Sequence, residues 1–384
     1  MKLLIFIHSL SGGGAERVTA NLANHWAGKG WDIAVVTLAP RRNDFYELHP
    51  AVKRIALELV GNSANRLVGL AQNLRRVFAL RRVLRELQPD VALGMMTGAN
   101  VLLSIAAWGL PEVAAIGSER IHPPLWPLST VWEALRRYSY SRLVAVTAVS
   151  HESADWLKAH TRVRRAPVIP NAVLLPLSLQ TPRVTPDLLC QRKRRLLLAV
   201  GRLDVQKGFD RLVDAFTKPA EKYSDWDLVI LGEGPQRHEL QRQVLAGGLE
   251  KRIFLPGSVG NVGEWYERAD LYVLSSRFEG FPNSLLEAMA HGLPAISFDC
   301  DTGPRDIIRH EVDGLLVPPG DVAGITAALD RLMGDVALRQ QFAERATEVR
   351  ERFSMERIAG MWEALFKEII NAGSCNRSFS WRTF

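Results

Sequence analysis

Short apolar runs alternate with longer amphipathic stretches along the whole chain, and the alternation starts over near the middle. Runs of strand length fall at 3–8, 33–38, 91–95, 114–116 and 143–148, then at 196–200, 228–231, 253–255, 271–274 and 294–298. They are continuously apolar rather than alternating, as expected of parallel strands covered by helices on both faces. Strand-length and helix-length segments in this order predict an α/β fold with two Rossmann-like, doubly wound parallel sheets. The domains predicted are 1–173, which ends after a short strand at Val168-Ile169, and 196–354. Between them, 174–195 lacks periodicity, carries Pro176, Pro182 and Pro186, and reads as a linker. A last helix is expected over 355–371, and a frayed tail over 372–384.

Composition agrees with two domains. The 384 residues exceed what one core organises, and a content of 47% hydrophobic and 23% charged residues is globular. Cys190, Cys300 and Cys375 are far apart and odd in number, with no zinc spacing, which fits a reducing cytoplasm. The apolar start after Lys2 stops at His8 and reads as a buried first strand, not a signal peptide. No apolar run reaches the ~20 residues of a membrane-spanning helix. Charge is uneven: residues 1–172 hold 21 Lys+Arg and 12 Asp+Glu, a net of +9, and the remainder holds 27 and 29, a net of −2. The first half therefore favours an anionic partner surface.

The chemistry sits where strands end. Gly12-Gly13-Gly14 follows the first strand and opens a helix, a place where backbone can approach an anion. It is not the dinucleotide fingerprint, whose glycine spacing and later acid are missing. Gly201-Arg202-Leu203-Asp204-Val205-Gln206-Lys207-Gly208 puts two cations on one loop, as a diphosphate requires. Gly232-Glu233-Gly234-Pro235 ends another strand; it reads as a turn or as a close approach to a flat ligand. Most informative is Phe278-Glu279-Gly280-Phe281-Pro282-Asn283-Ser284-Leu285-Leu286-Glu287, directly after a strand. A helix starting near Asn283 aims N–H groups into the crevice at the strand's carboxyl end, with a carboxylate on either side to grip hydroxyls. Phosphate flanked by hydroxyls describes a nucleotide sugar.

These motifs in this order, followed by Asp313-Gly314-Leu315-Leu316-Val317, resemble glycosyltransferase family 4, the retaining family with the GT-B fold. The resemblance covers nearly the whole chain and is strongest over 196–345. It implies two Rossmann-like domains facing a cleft, with the last helix crossing back to brace the first. It also implies that Arg202 and Lys207 hold the donor diphosphate, that Glu287 bonds the ribose and that Glu279 contacts the transferred sugar. Gly232 and the backbone of Phe281, Asn283 and Ser284 would line the donor site, and Gly13 and Gly14 would close on the diphosphate. Cys300 to Ile308 is similar to the bacterial branch that builds capsule, exopolysaccharide and lipid-linked oligosaccharides, including the N-acetylgalactosaminyltransferases of protein glycosylation.

The chain departs from the family in three places. Pro282 stands where many relatives have glycine and offers no N–H. Thr302-Gly303-Pro304-Arg305-Asp306 replaces a Gly-Gly-x-x-Glu pattern. Where many relatives place a histidine near the reacting centre, this chain reads Gly117-Ser118-Glu119-Arg120-Ile121-His122, which leaves Glu119 and His122 as alternatives. The implied reaction takes a UDP-linked sugar to a lipid-linked saccharide at the inner face of the bacterial inner membrane. The protein would be cytoplasmic and peripheral, with no cofactor and no metal. Asp299-x-Asp301 imitates a metal motif of another glycosyltransferase fold and is discounted, because two carboxylates make a thin site for a hard cation. The alternatives are a sugar-nucleotide epimerase of the same fold and a non-catalytic partner of lipid or of another transferase.

Residues 65–87 carry six arginines and one acid, with Leu67, Leu70, Leu74, Val77, Leu80 and Leu84 at helical spacing. An interfacial helix on anionic lipid and a core helix with a basic outer face both fit. Arg136, Arg137, Arg142, Arg162, Arg164 and Arg165 add charge, and Trp108, Trp126 and Trp132 suit either an interface or the core. No RNP-like strand or recognition helix supports a nucleic-acid partner.

Overall fold

The computed structural model describes residues 1–61, 66–125, 127–191 and 193–379. Two compact units emerge: unit 1 comprises Met1–Ala172 with Met355–Phe384, and unit 2 comprises Val173–Ser354. Each is built on a six-stranded parallel sheet.

In unit 1 the strands are β1 (Lys2–Ile7), β2 (Asp32–Thr37), β3 (Lys53–Ala56), β4 (Val91–Met95), β5 (Ala114–Ser118) and β6 (Ala145–Thr147), in the order β3-β2-β1-β4-β5-β6. Ile5 pairs with Val35 on one side and Leu93 on the other. In unit 2 they are β7 (Arg195–Val200), β8 (Trp226–Leu231), β9 (Ile253–Gly257), β10 (Leu271–Leu274), β11 (Ala295–Phe298) and β12 (Gly314–Val317), in the order β12-β11-β10-β7-β8-β9. This is the doubly wound arrangement twice over. The strand order reverses between β1 and β4 and between β7 and β10, and the crevice that receives ligands opens there.

Apart from Lys2 at the start of β1, the strands β1, β4, β8 and β10 are buried along their whole length, which is why they read as apolar runs. Leu4, Phe6, Val36, Leu80, Leu84 and Leu103 pack in the first core; Leu197, Phe216, Trp226, Ile230 and Phe298 pack in the second. Two edge strands, β3 and β12, are absent from the sequence expectation. The expected strand at Val168-Ile169 is reduced to a single bridge between Ala148 and Val168.

The segment read as a linker belongs to unit 2. Asn261 exchanges hydrogen bonds with the Val184 backbone at 3.0 Å both ways, Trp265 Nε1 donates to Val184 O at 3.0 Å, and Gln180 N donates to Gly260 O at 2.9 Å. Backbone pairing of this kind leaves no periodic mark in the sequence, so an aperiodic, proline-bearing segment reads as a linker even where it is held to one unit. The last helix runs Met355–Phe379, past Asn371 and through much of the expected tail. It returns to the helix Gly14–Gly28: Trp26 lies 5.6 Å from the Phe366 ring, and both Trp26 Nε1 and Lys29 Nζ donate to Glu363, at 3.2 and 2.8 Å. Cys190 and Cys300 are buried free thiols; the Cys375 side chain lies outside the described residues. Among the described residues no helix is long and apolar enough to cross a membrane.

Candidate active site

The loops leaving β7 and β10 are neighbours because their strands are, and the chain ties them together. Lys207 Nζ donates to Glu279 Oε1 at 2.6 Å, and Ser276 Oγ donates to the same oxygen at 2.6 Å. Arg277 grips Asp210 through both guanidinium ends, at 2.9 and 2.6 Å, and reaches the Val205 carbonyl at 2.7 Å. Ser275 Oγ donates to Lys207 O at 2.9 Å, and Gln206 Nε2 to Phe278 O at 3.1 Å. A Cβ on Gly208, whose φ is +62°, would fall on the Ser275 carbonyl oxygen, so only glycine lets the two backbones meet. Glu279 is 6% exposed, and its carbonyl accepts the Thr302 hydroxyl. One carboxylate oxygen is thus fixed by an ammonium and a hydroxyl. Oε2 has no partner among the described residues and is left to accept a hydrogen bond from a ligand.

Arg202 stands at the rim. Its side chain is 64% exposed, Nε donates to Asp204 Oδ2 at 2.5 Å, and the forked end of the guanidinium has no partner among the described residues. Asp204 also caps the short turn Val205–Lys207, accepting from Lys207 N at 3.3 Å. The two cations are therefore held differently: Lys207 sits deep and paired, while Arg202 is presented outward.

The helix Asn283–Ala290 follows β10 with Pro282 at its cap position. Ser284 Oγ accepts from Tyr272 Oη at 2.9 Å, and burial pushes the Tyr272 phenol well up, so it stays a donor. Glu287 is buried one turn in, with Tyr266 Oη donating to Oε2 at 3.4 Å. Phe281 is buried edge-on against Phe353, ring centres 5.5 Å apart. A Cβ on Gly232 would overlap the Gly201 carbonyl oxygen, so contact between the β7 and β8 loops accounts for that glycine. Arg202, Lys207, Gly232, Glu279, Phe281, Asn283, Ser284 and Glu287 all lie at the carboxyl ends of the unit 2 strands.

The remaining sequence-predicted residues belong to unit 1. Gly13 precedes the helix Gly14–Gly28, and its carbonyl accepts the Tyr46 hydroxyl at 3.1 Å. A Cβ on Gly13 would overlap the Glu16 carboxylate, which folds back to its own backbone N–H and to the Ser9 side chain. The chain's own carboxylate thus occupies this helix start, and burial holds its pKa above the ordinary value despite those hydrogen bonds.

Glu119, one of the two alternatives offered near the reacting centre, is 2% exposed, with Thr97 Oγ1 donating to Oε2 at 2.8 Å and the Tyr140 hydroxyl donating to Oε1. Burial raises its pKa, against the pull of Tyr140, Thr97 and Arg136. The physical reason is packing: Tyr140 comes from beyond the next helix and closes over the loop. His122 is buried too, its Nδ1 3.0 Å from Ser153 Oγ.

Asp299 pairs with Arg305 at 2.8 Å, and Asp301 is exposed. Among the described residues no group of three or more His, Cys, Asp or Glu stands together to hold a metal ion. The sequence reading missed Ser276 and Thr302, which fix Glu279 from either side; small hydroxyl residues beside a glutamate carry no signal. Cys300 belongs to the same packing: its thiol donates to Ser276 O at 3.1 Å, and burial, then Glu279, pushes its pKa up to about 12.

The helix Arg66–Leu87 is packed into the core over one part and exposed over another. Leu80, Val83 and Leu84 are buried in the unit 1 core. Leu70, Leu74 and Phe78, one stripe at i, i+4 and i+8, are 61%, 48% and 67% exposed. The arginines divide too. Arg76 bonds the Leu59 carbonyl at 3.0 Å and Arg81 the Ala106 and Trp108 carbonyls at 2.7 and 2.6 Å, so these two fasten the helix. Arg75 and Arg85 are exposed, and Arg82 pairs with Glu86 at 2.7 Å. Trp108 is 65% exposed, Trp132 packs against the core, and Trp126 lies outside the described residues.

Two family profiles cover most of the chain: "Glycosyltransferase Family 4" matches residues 12–175 and "Glycosyl transferases group 1" matches residues 183–349. An exopolysaccharide phosphotransferase of Streptomyces coelicolor is 34% identical over 76% of this chain, which spans only 30% of that longer protein. An α-1,4-N-acetyl-D-galactosaminyltransferase of Campylobacter jejuni, named for an undecaprenol-PP-linked saccharide, is 28% identical over 97% of this chain and 100% of its own length. Among solved structures, a sucrose-phosphate synthase from Thermosynechococcus elongatus superposes with a TM-score of 0.80 at 20% identity, over 97% of this chain and 100% of the other.

Proposed function

The chain belongs to the GT-B glycosyltransferases that join a family 4 domain to a group 1 domain, and from that premise we propose that it transfers a sugar from a UDP-linked donor to a lipid-linked saccharide, retaining the anomeric configuration. The observation that carries this reading is the convergence of Lys207, Glu279 and Arg202 at the switch point of the second sheet, with Glu287 one helical turn away. Cations suit a diphosphate, and carboxylates flanking a helix start suit the hydroxyls of a sugar and a ribose.

In this reading the bond from the anomeric carbon to the diphosphate oxygen breaks, and a bond to the acceptor oxygen forms on the same face. The acceptor's proton passes to an oxygen of the departing diphosphate, so no protein nucleophile is needed. Arg202 and Lys207 stabilise the charge that builds on the leaving group. Glu279 Oε2 accepts a hydroxyl of the transferred sugar, and Glu287 holds the ribose.

The acceptor assignment follows the Campylobacter relative, which matches over its full length. The phosphotransferase named in Streptomyces is not carried over, since this chain spans less than a third of it. A working place at an anionic membrane surface is supported by the exposed stripe Leu70, Leu74 and Phe78 beside Arg75 and Arg85. The decisive experiment screens UDP- and GDP-sugars for slow hydrolysis and for a rise in melting temperature. A UDP-sugar should stabilise the protein and be hydrolysed with the α-anomer as product. Stabilisation by GDP-sugars alone, or an inverted product, would refute the donor or the stereochemical assignment.

A further inference from the structure

The six arginines noted in the second part of unit 1 divide sharply. Arg136 is buried against Glu133 and lies 4.5 Å over the Trp156 ring, and Arg165 pairs with Glu368 at 2.8 Å. Arg137 lies 5.9 Å over Tyr138. Arg142, Arg162 and Arg164 have no carboxylate partner among the described residues, and these three line one open cavity of about 620 Å³ together with Trp108, Leu110 and Pro111. Glu112, between two lining residues, is exposed and makes no ion pair among the described residues. Three unpaired cations around one hollow repel one another, and an anion relieves that repulsion.

The cavity sits at the amino ends of β5 and β6, since Trp108 to Val113 lead into β5 and Arg142 to Val144 lead into β6. It is therefore at the opposite end of the sheet from Gly13 and Glu119. Its rims carry aromatic rings with cations on them: Arg142 lies 4.3 Å from the Trp108 ring centre and Arg162 4.5 Å from that of Tyr138.

Each rim leads to exposed apolar residues. Arg81 bonds the Trp108 carbonyl, and one turn before Arg81 stands Phe78, the end of the stripe through Leu74 and Leu70. On the other side Tyr138 closes a stripe with Leu135 and Val131 on the helix Thr130–Ser139; these are 51%, 37% and 65% exposed. An arginine-lined hollow between two exposed apolar stripes, with tryptophan and tyrosine at its edge, combines what headgroup phosphate and the outer acyl region each require. A soluble phosphate would account for the arginines but not for the stripes.

We propose that this cavity receives the phosphate of an anionic lipid headgroup, with the two stripes resting in the interface on either side. The inference rests on the reading of the chain as one that works at an anionic membrane, and it names the site that selects for charge.

The test is sedimentation of the full chain with vesicles of phosphatidylglycerol in phosphatidylcholine, or of phosphatidylcholine alone, at low salt. Arg142→Gln, Arg162→Gln and Arg164→Gln together should weaken binding to the anionic vesicles on the order of a hundredfold. Melting temperature and hydrolysis of the sugar nucleotide should stay unchanged, since none of the three touches the donor residues. Should the triple variant fold poorly, Arg164→Gln alone, which breaks no contact, should still weaken binding about fivefold. Unchanged binding by the triple variant overturns the proposal. If Leu70→Ser, Leu74→Ser and Phe78→Ser abolish binding while the triple arginine variant retains it, the membrane reading stands and the cavity assignment falls. Wild-type protein that ignores both vesicle types sinks both. Inorganic phosphate that raises the melting temperature of the wild type but not of the triple variant, with equal vesicle binding, would assign the cavity to free phosphate and also overturn the proposal.

Discussion

Lys207 and Glu279 stand 72 positions apart in sequence and meet at 2.6 Å, with side chains only 17% and 7% exposed. Removing one partner of such a pair leaves a poorly solvated charge, so Lys207→Ala should lower stability by about 3 kcal/mol. Pairing it with Glu279→Ala should recover part of that loss, a coupling of roughly 1–3 kcal/mol. Arg202, 64% exposed, should lose turnover on alanine substitution with almost no change in melting temperature. Denaturant curves on the three variants and the double variant decide this, and additive effects of Lys207→Ala and Glu279→Ala would deny the coupling.

Glu279 and Glu287 should separate kinetically. On the proposed reaction, Glu279→Gln keeps shape but removes charge beside the reacting carbon, so kcat should fall more than donor affinity, by a hundredfold or so. Glu287→Gln alters a contact that is alike before and during reaction, so the donor KM should rise roughly tenfold with kcat nearly kept. Steady-state rates with nucleotide sugar and lipid acceptor measure both, and the opposite split would exchange the two roles.

Protein cations are expected to do the work of a divalent ion on the diphosphate. Asp299 is already engaged by Arg305 at 2.8 Å. Activity should therefore persist in EDTA. Loss of turnover in EDTA that manganese or magnesium restores would return Asp299 and Asp301 to the site.

Glu119 supplies a pH test of its own. Its folded-state pKa is raised, chiefly by burial, above the ordinary 4.5. The folded state then binds a proton more tightly than the unfolded state, so the stabilisation is full below 4.5 and is lost as pH rises through the raised value. Glu119→Gln mimics the protonated form and should gain stability relative to wild type as pH climbs above 4.5. Melting curves of the two proteins that keep a constant separation across that range would contradict the buried placement.

Each of the ten apolar runs from 3–8 to 294–298 overlaps a strand, because burial on both faces writes itself directly into composition. The two strands that escaped are both sheet edges. In β3, Lys53 and Arg54 begin a strand that is nowhere fully buried, so no apolar run marks it. In β12, Gly-Leu-Leu-Val opens on a glycine straight after Asp313, so it reads as part of a turn motif. At the candidate site the loops and their glutamates were legible from spacing. That Lys207 reaches Glu279 was not, since it depends on β7 and β10 being neighbours in the sheet. The burial of Glu119 was not legible either, since Tyr140 and Thr97, which cover it, lie more than twenty positions away on either side. The helix Arg66–Leu87 gave an apolar pattern without saying where its buried part ends.

Chain order also constrains how the molecule comes to exist. Trp26 finds Phe366 and Glu363 only after every residue of unit 2 has been synthesised. On the ribosome, Val173–Ser354 can complete its contacts while the earlier domain still waits for its closing helix, with the Trp26 face unsealed. Translation errors or nicks near the far terminus would therefore damage the domain that was made first.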